Sequence, residues 1–182
     1  FLGLVGSEMC IRDRHRIWGM YLAQFTASED PSMSPATSED MALIGTHDTP
    51  TLAGWLKGVD IGERVRCGLL DPKAVSAVRK ERTRATRRLA DRLGANVDDP
   101  RGSLAALLDW LGRSDSPLVV PWLEDLWLEE EGVNLPGTRS SERPNWQRPM
   151  NRLLDEALAD PEVDALARRL ARARSSGNDT TD

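Results

Sequence analysis

The chain has 182 residues, enough for one ordinary domain or a piece of a larger one, but short of a whole eight-stranded α/β barrel, which takes about 250. Hydrophobic residues make up 40% and charged residues 29%, the balance of a globular chain that can bury a core, not of a disordered, fibrous or membrane-embedded one. A net charge of −5 gives no general attraction to polyanions and argues against nucleic acid as a partner.

No apolar run approaches the ~18 residues of a membrane span, and the opening from Phe1 to Gly6 lacks the basic and long apolar regions of a secretion signal. A soluble, cytoplasmic protein without membrane association is the expectation. Cys10 and Cys67 form neither a disulfide framework nor a metal-ligand cluster, and two histidines in the whole chain make a metal site improbable. The chain starts at Phe1 without an initiator methionine. Residues Ser7 to Arg14 show no cap and no alternation, and resemble a translated sequencing-adaptor string. Residues 1–14 are therefore set aside as non-native or disordered, 15–174 are taken as one structural unit, and the polar stretch 175–182 as a frayed tail.

From Ile17 to Leu22 the sequence is a mixed apolar stretch that leads into a loop from Thr26 to Asp40 rich in Ser, Pro, Asp and Thr. Met41 to Thr46 has the length and composition of a strand buried on both faces. It ends at His47-Asp48. Pro50 then takes the first position of a short helix through Trp55, with Thr49 as its cap and Gly58 just beyond. Asp71-Pro72 opens a long helix in which Val75, Val78, Arg82, Ala85, Leu89 and Leu93 recur at three- and four-residue steps until Gly94 stops it. Ser103 is expected to cap a further helix whose Leu104, Leu107, Leu108 and Leu111 form one stripe, ending at Gly112. Leu118 to Leu123 reads as a second buried strand, weakened by Pro121. Gly132 to Pro149 is a loop, followed by amphipathic helix from about Met150 to Arg174 with a break at Asp160-Pro161.

Strand, helices, strand, loop, helix is the order of parallel βα units. Two strands with helices on one side leave open sheet edges, so the order fits the tail of a larger α/β protein better than a complete fold. In such proteins the loops at the carboxyl ends of the strands build the site, and His47-Asp48 stands there. Two readings are open at this point. Asp48 and Thr49 could satisfy the orphan N–H groups of the next helix, with His47 packed. Alternatively, carboxylate and imidazole could bind adjacent hydroxyls of a sugar ring, contacts that strengthen as an oxocarbenium-like transition state flattens the ring.

The segment Ala42 to Trp55, with Gly45-Thr46-His47-Asp48-Thr49-Pro50 at its centre, resembles the strand-seven motif of the 4-α-glucanotransferases, also called amylomaltases or disproportionating enzymes. A second block, Val133-Asn134-Leu135-Pro136-Gly137-Thr138 followed by Glu142 to Arg148, is similar to that family's C-terminal signature, and Leu123-Glu124-Asp125-Leu126 fits between them. Gln147 stands where arginine is more usual in the family. The resemblance implies that residues 16–174 are the C-terminal portion of a (β/α)₈ barrel, about its last two strands with their helices, mostly helical by residue count. It also implies a retaining transglycosylase that moves α-1,4-glucan segments between maltooligosaccharides, without organic cofactor or metal. Asp48 then matches the transition-state-stabilising carboxylate, His47 a sugar-binding neighbour, and Asn134 a contact to sugar hydroxyls. In that family the nucleophile and the acid/base lie on earlier strands, so this chain is expected to be inactive alone.

The other acids do not substitute. Glu39-Asp40 precede the strand, Asp71 caps a helix, and Glu129-Glu130-Glu131 reads as a solvated run. Arg79, Lys80, Arg84, Arg87, Arg88 and Arg92 form the polar face of the long helix, and Trp55, Trp110, Trp122, Trp127 and Trp146 read mostly as packing residues. The competing functional class is a small helical nucleic-acid-binding or protein-interaction module in which His47-Asp48 is only a cap.

Overall fold

Three short apolar segments far apart in sequence lie side by side. The structure, a computed structural model, describes residue 15 and residues 17–178. Strand β1 (Gly19–Leu22), β2 (Asp40–Leu43) and β3 (Leu118–Val120) form a parallel sheet in that order. Parallel neighbours require crossovers, and helices supply them. Helix α1 (Ala23–Glu29) returns the chain from β1 to β2. Helices α2 (Leu52–Lys57), α3 (Val59–Arg66), α4 (Val75–Leu93) and α5 (Pro100–Gly112) lie between β2 and β3. After β3 come α6 (Leu123–Leu126), α7 (Leu154–Leu158) and α8 (Pro161–Asn178). About half of the described residues are helical, and the molecule is of mixed α/β class.

Side chains alternate across a strand, so the register defines two faces. Tyr21, Ala42 and Val119 are in register and face the helices, where they join a core of Ile44, Leu52, Trp55, Ala85, Leu89 and the leucine stripe of α5. Leu104, Leu107, Leu108 and Leu111 are each no more than 1% exposed, as their three- and four-residue spacing dictates. Helix α5 packs mainly against α8, and α1 against α4. The opposite face carries Met20, Met41 and Leu118 in register. Met20 is 60% exposed and Leu118 40%, so this apolar face is open at its two outer strands.

Several boundaries differ from those read in the sequence. The sheet has three strands among the described residues, not two, because Gly19–Leu22 is too short to announce itself by alternation. The chain then turns into α1 and only leaves it at Asp30, so the expected loop from Thr26 begins later. Strand β2 ends at Leu43, and Ile44 to Thr46 already curve into a turn. Asp99-Pro100, a cap followed by proline at the first helical position, starts α5 ahead of Ser103. Asp99 accepts from the Gly102 N–H at 3.0 Å, while the buried Ser103 hydroxyl donates to the Asn96 carbonyl at 2.9 Å. Strand β3 stops at Val120 because Pro121 has no N–H for the ladder. Helix α8 continues through Asn178, past Arg174. The long helix does end at Gly94, in the left-handed conformation with φ 62°. The stretch 1–14 and residues 179–182 lie outside the described residues.

Gly54 sets how closely α2 approaches the loop after α6. A Cβ built there would lie 2.0 Å from the Glu130 carbonyl oxygen, a backbone atom that cannot rotate away. Gly54→Ala is therefore expected to lower stability by about 1–3 kcal/mol despite the ~1 kcal/mol gain in helix propensity, read as a drop in the urea midpoint at unchanged m-value.

Candidate functional site

The turn after β2 is built from threonines. The Thr49 hydroxyl accepts from the Thr46 N–H at 2.8 Å and donates to the Thr46 carbonyl at 3.0 Å. The Thr46 hydroxyl in turn accepts from the Asp48 N–H at 3.2 Å. Thr49 is 6% exposed, and this hydroxyl occupies the space a Cβ on Gly45 would need, 2.4 Å away. Thr49 therefore closes the turn and is not the helix cap, as the sequence reading has it.

The cap is Thr51, whose hydroxyl accepts from the Gly54 N–H at 3.2 Å. The first helical N–H, of Leu52, donates to Asp125 Oδ1 at 2.6 Å. Asp125 comes from α6, 73 residues away in sequence, and is 1% exposed. With these donors satisfied by Thr51 and Asp125, the cap reading of Asp48 fails.

Asp48 is left to face outward, its side chain 51% exposed. Its Oδ1 accepts from Asn134 Nδ2 at 2.7 Å, and His47 Nε2 lies 3.3 Å from Oδ2. The structure thus brings together the three residues singled out in the sequence, although Asn134 is 86 residues from Asp48. Two indoles flank the imidazole, with ring centroids 5.1 Å (Trp146) and 6.0 Å (Trp122) from that of His47. Trp146 is 63% exposed, so it is not a packing residue, whereas Trp55 and Trp127 are buried. Trp146 also has φ 62°, a left-handed conformation unusual for a bulky residue.

Asp48 and Asn134 sit on the wall of a cleft of about 560 Å³. Phe25, Glu29, Arg64 and Leu69 also line it. It runs between α1, the α2–α4 region and the loop after α6. The acidic run from Glu129 is not simply solvated: Glu129 is 5% exposed and accepts from the Asn151 N–H at 3.0 Å, Glu130 pairs with Lys57 and Glu131 with Arg148. Asp71 caps the turn at Pro72–Ala74, as expected. The basic residues Arg79, Lys80, Arg84, Arg87 and Arg92 on α4 are solvent-exposed. Among the described residues no three His, Cys, Asp or Glu side chains converge as a metal-binding set, and no helix is long and apolar enough to cross a membrane.

Sequence reasoning missed the roles of Arg143, Asp125 and Trp146. Their only signal is membership of the two motif blocks and the segment between them, which says nothing of who touches whom.

These features define a parallel βα protein with a polar cleft beside the carboxyl end of its middle strand, Asp48 and Asn134 on its wall. The chain belongs to the 4-alpha-glucanotransferase family, whose model matches residues 2–155. It is 29% identical over 148 residues to the 4-alpha-glucanotransferases of Mycobacterium tuberculosis and Mycobacterium bovis. That match covers 75% of this chain and 20% of the relative, so the chain spans about a fifth of the length of the curated relatives it matches. The fold is similar to that of amylomaltase from Corynebacterium glutamicum, with TM-score 0.67 and 22% identity over 87% of this chain and 25% of that one. It is also similar to amylomaltase from Streptococcus agalactiae in complex with acarbose, with TM-score 0.63 and 16% identity over 92% of this chain and 29% of that one.

Burial pushes the Asp125 carboxyl up to about 7, aided by the neighbouring Glu124 charge and opposed by the Leu52 N–H. A carboxyl raised in the folded state favours folding fully below its unfolded value, and that contribution is lost as pH rises through about 7. Asp125→Asn keeps an acceptor for Leu52 and cannot ionise. The expected outcome is a urea midpoint for the wild type that falls between about pH 4 and pH 7 and levels off above, with that fall reduced in Asp125→Asn. An equal fall in both proteins would contradict the assignment.

Proposed function

We propose that this chain is the C-terminal part of a cytoplasmic, retaining 4-α-glucanotransferase that passes α-1,4-glucan segments between maltooligosaccharides. The observation that carries the reading is the convergence of Asp48, His47 and Asn134 at the carboxyl end of β2. The exposure of Met20 and Leu118 on the apolar face of the outer strands supports the further reading that the sheet is an arc of a (β/α)₈ barrel, whose remaining strands would cover it. The arc comprises three strands where the sequence suggested about two.

In the proposed mechanism Asp48 is the third carboxylate. Its Oδ1 is occupied by Asn134, which turns Oδ2 and the adjacent His47 Nε2 toward the hydroxyls of one glucose ring. As positive charge builds at the anomeric carbon and the ring flattens, the fixed carboxylate stabilises that charge more than it stabilises the ground state. Trp146 supplies an apolar wall beside the imidazole, suited to the C–H face of a sugar. A covalent glycosyl-enzyme intermediate requires a nucleophile and an acid/base about 5–5.5 Å apart, and both are assigned to the part of the longer polypeptide outside this chain. The chemistry uses no metal and no organic cofactor.

With maltotriose, the purified 182-residue chain is expected to release no glucose above background. In the whole enzyme carrying this segment, Asp48→Asn is expected to lower kcat about 10²–10³-fold, measured as glucose release from maltotriose. Glucose release by the chain alone, abolished by Asp48→Asn, would contradict the division of the carboxylates. An unchanged kcat in the whole enzyme would contradict the role of Asp48.

A further inference from the structure

Asn134 sits in a loop without regular structure, yet it must hold its amide against Asp48 within a few tenths of an ångström. The source of that order is Arg143. This side chain is 8% exposed, and every arm of its guanidinium is engaged. Nε donates to Glu63 Oε1 on α3 at 2.6 Å. Nη1 donates to Asn145 Oδ1 at 2.7 Å and to the Val133 carbonyl at 3.2 Å. Nη2 donates to the Gly132 carbonyl. The two carbonyls gripped by the fork belong to the residues immediately before Asn134. On its other side the Leu135 N–H donates to Asn145 Oδ1 at 3.1 Å, the same oxygen that Arg143 holds. Asn145 Nδ2 donates to the Thr138 hydroxyl at 2.7 Å, and the Trp146 N–H donates to the Val133 carbonyl at 3.0 Å.

We propose that Arg143, anchored by Glu63, is a positioning residue that fixes the peptide around Asn134 and seats Trp146 beside His47, and so sets the geometry of Asp48. The proposal rests on the reading that Asp48 and Asn134 form the site. A buried guanidinium has the donors and the planar spread to hold a carboxylate, an amide oxygen and two carbonyls at once. A lysine ammonium keeps the charge but cannot span those four acceptors. Glu63 comes from α3, a helix tied to the core through Ile61, so the loop is referenced to the body of the protein and not only to itself.

The test is site-resolved proton exchange by NMR on the 182-residue chain, comparing wild type, Arg143→Lys and Glu63→Gln. In Arg143→Lys the exchange of the Asn134 side-chain amide is expected to rise about tenfold or more, the equivalent of losing one charge-assisted hydrogen bond. Backbone amides of Leu107 and Leu108 in the α5 core should change much less. Glu63→Gln should move the same amide in the same direction by a smaller factor, and it decides the matter if Arg143→Lys fails to fold. An Asn134 amide that exchanges as in wild type would overturn the proposal. So would a rise matched by Leu107 and Leu108, since that is the signature of a merely structural arginine. A parallel maltotriose titration of the whole enzyme carrying this segment separates the two levels: no shift of the Trp146 indole there would count against the glucan reading alone, because the exchange measurement needs no sugar.

Discussion

A helix that begins directly after a buried strand leaves N–H groups that something must satisfy, and in this chain that duty falls on Thr51 and Asp125. Thr51 takes the Gly54 N–H and Asp125 takes that of Leu52. Had Asp48 been needed there, its carboxylate would point into the helix end and would be lost to the cleft and to Asn134. Thr49 completes the arrangement by closing the preceding turn on itself. The buried carboxyl of Asp125 is the cost of this division, since it is held in a place that disfavours its charge.

The second constraint comes from the far end of the chain. A loop from Gly132 to Pro149 is by itself a poor carrier for a group that must meet a carboxylate at 2.7 Å. It serves here because Arg143, Asn145 and the close passage of Gly54 under Glu130 remove its freedom. Buried charge in such a network stabilises only while every partner is present, and here Arg143 has partners on all three nitrogens.

How far the sequence discloses this follows from the range of each interaction. The leucine stripe of α5 and the glycine stop of α4 are local in origin, and both are legible because their causes lie within a turn or two of helix. Asp48, His47 and Asn134 are legible as candidates because residue types recur in two recognisable blocks. The cap assignment goes wrong because Thr49, Pro50 and Thr51 are adjacent and local pattern cannot choose between two threonines. Asp125, 73 residues from Leu52, decides the matter and no local rule points to it. Strand β1 is missed for a similar reason: four residues beginning with glycine become a strand only because β2 offers a ladder. Trp146 reads as core by composition, yet the Val133 carbonyl takes its N–H and its left-handed backbone leaves the indole outside.

The claim that Asp48 is released from helix capping is open to direct measurement by comparing the unfolding free energies of Asp48→Ala and Thr51→Ala in urea. Loss of a threonine cap should cost about 1 kcal/mol, whereas an exposed carboxylate with no helical partner should change stability by no more than about 0.5 kcal/mol. A loss in Asp48→Ala equal to that in Thr51→Ala would show the carboxylate to be part of the helix end and would contradict the account.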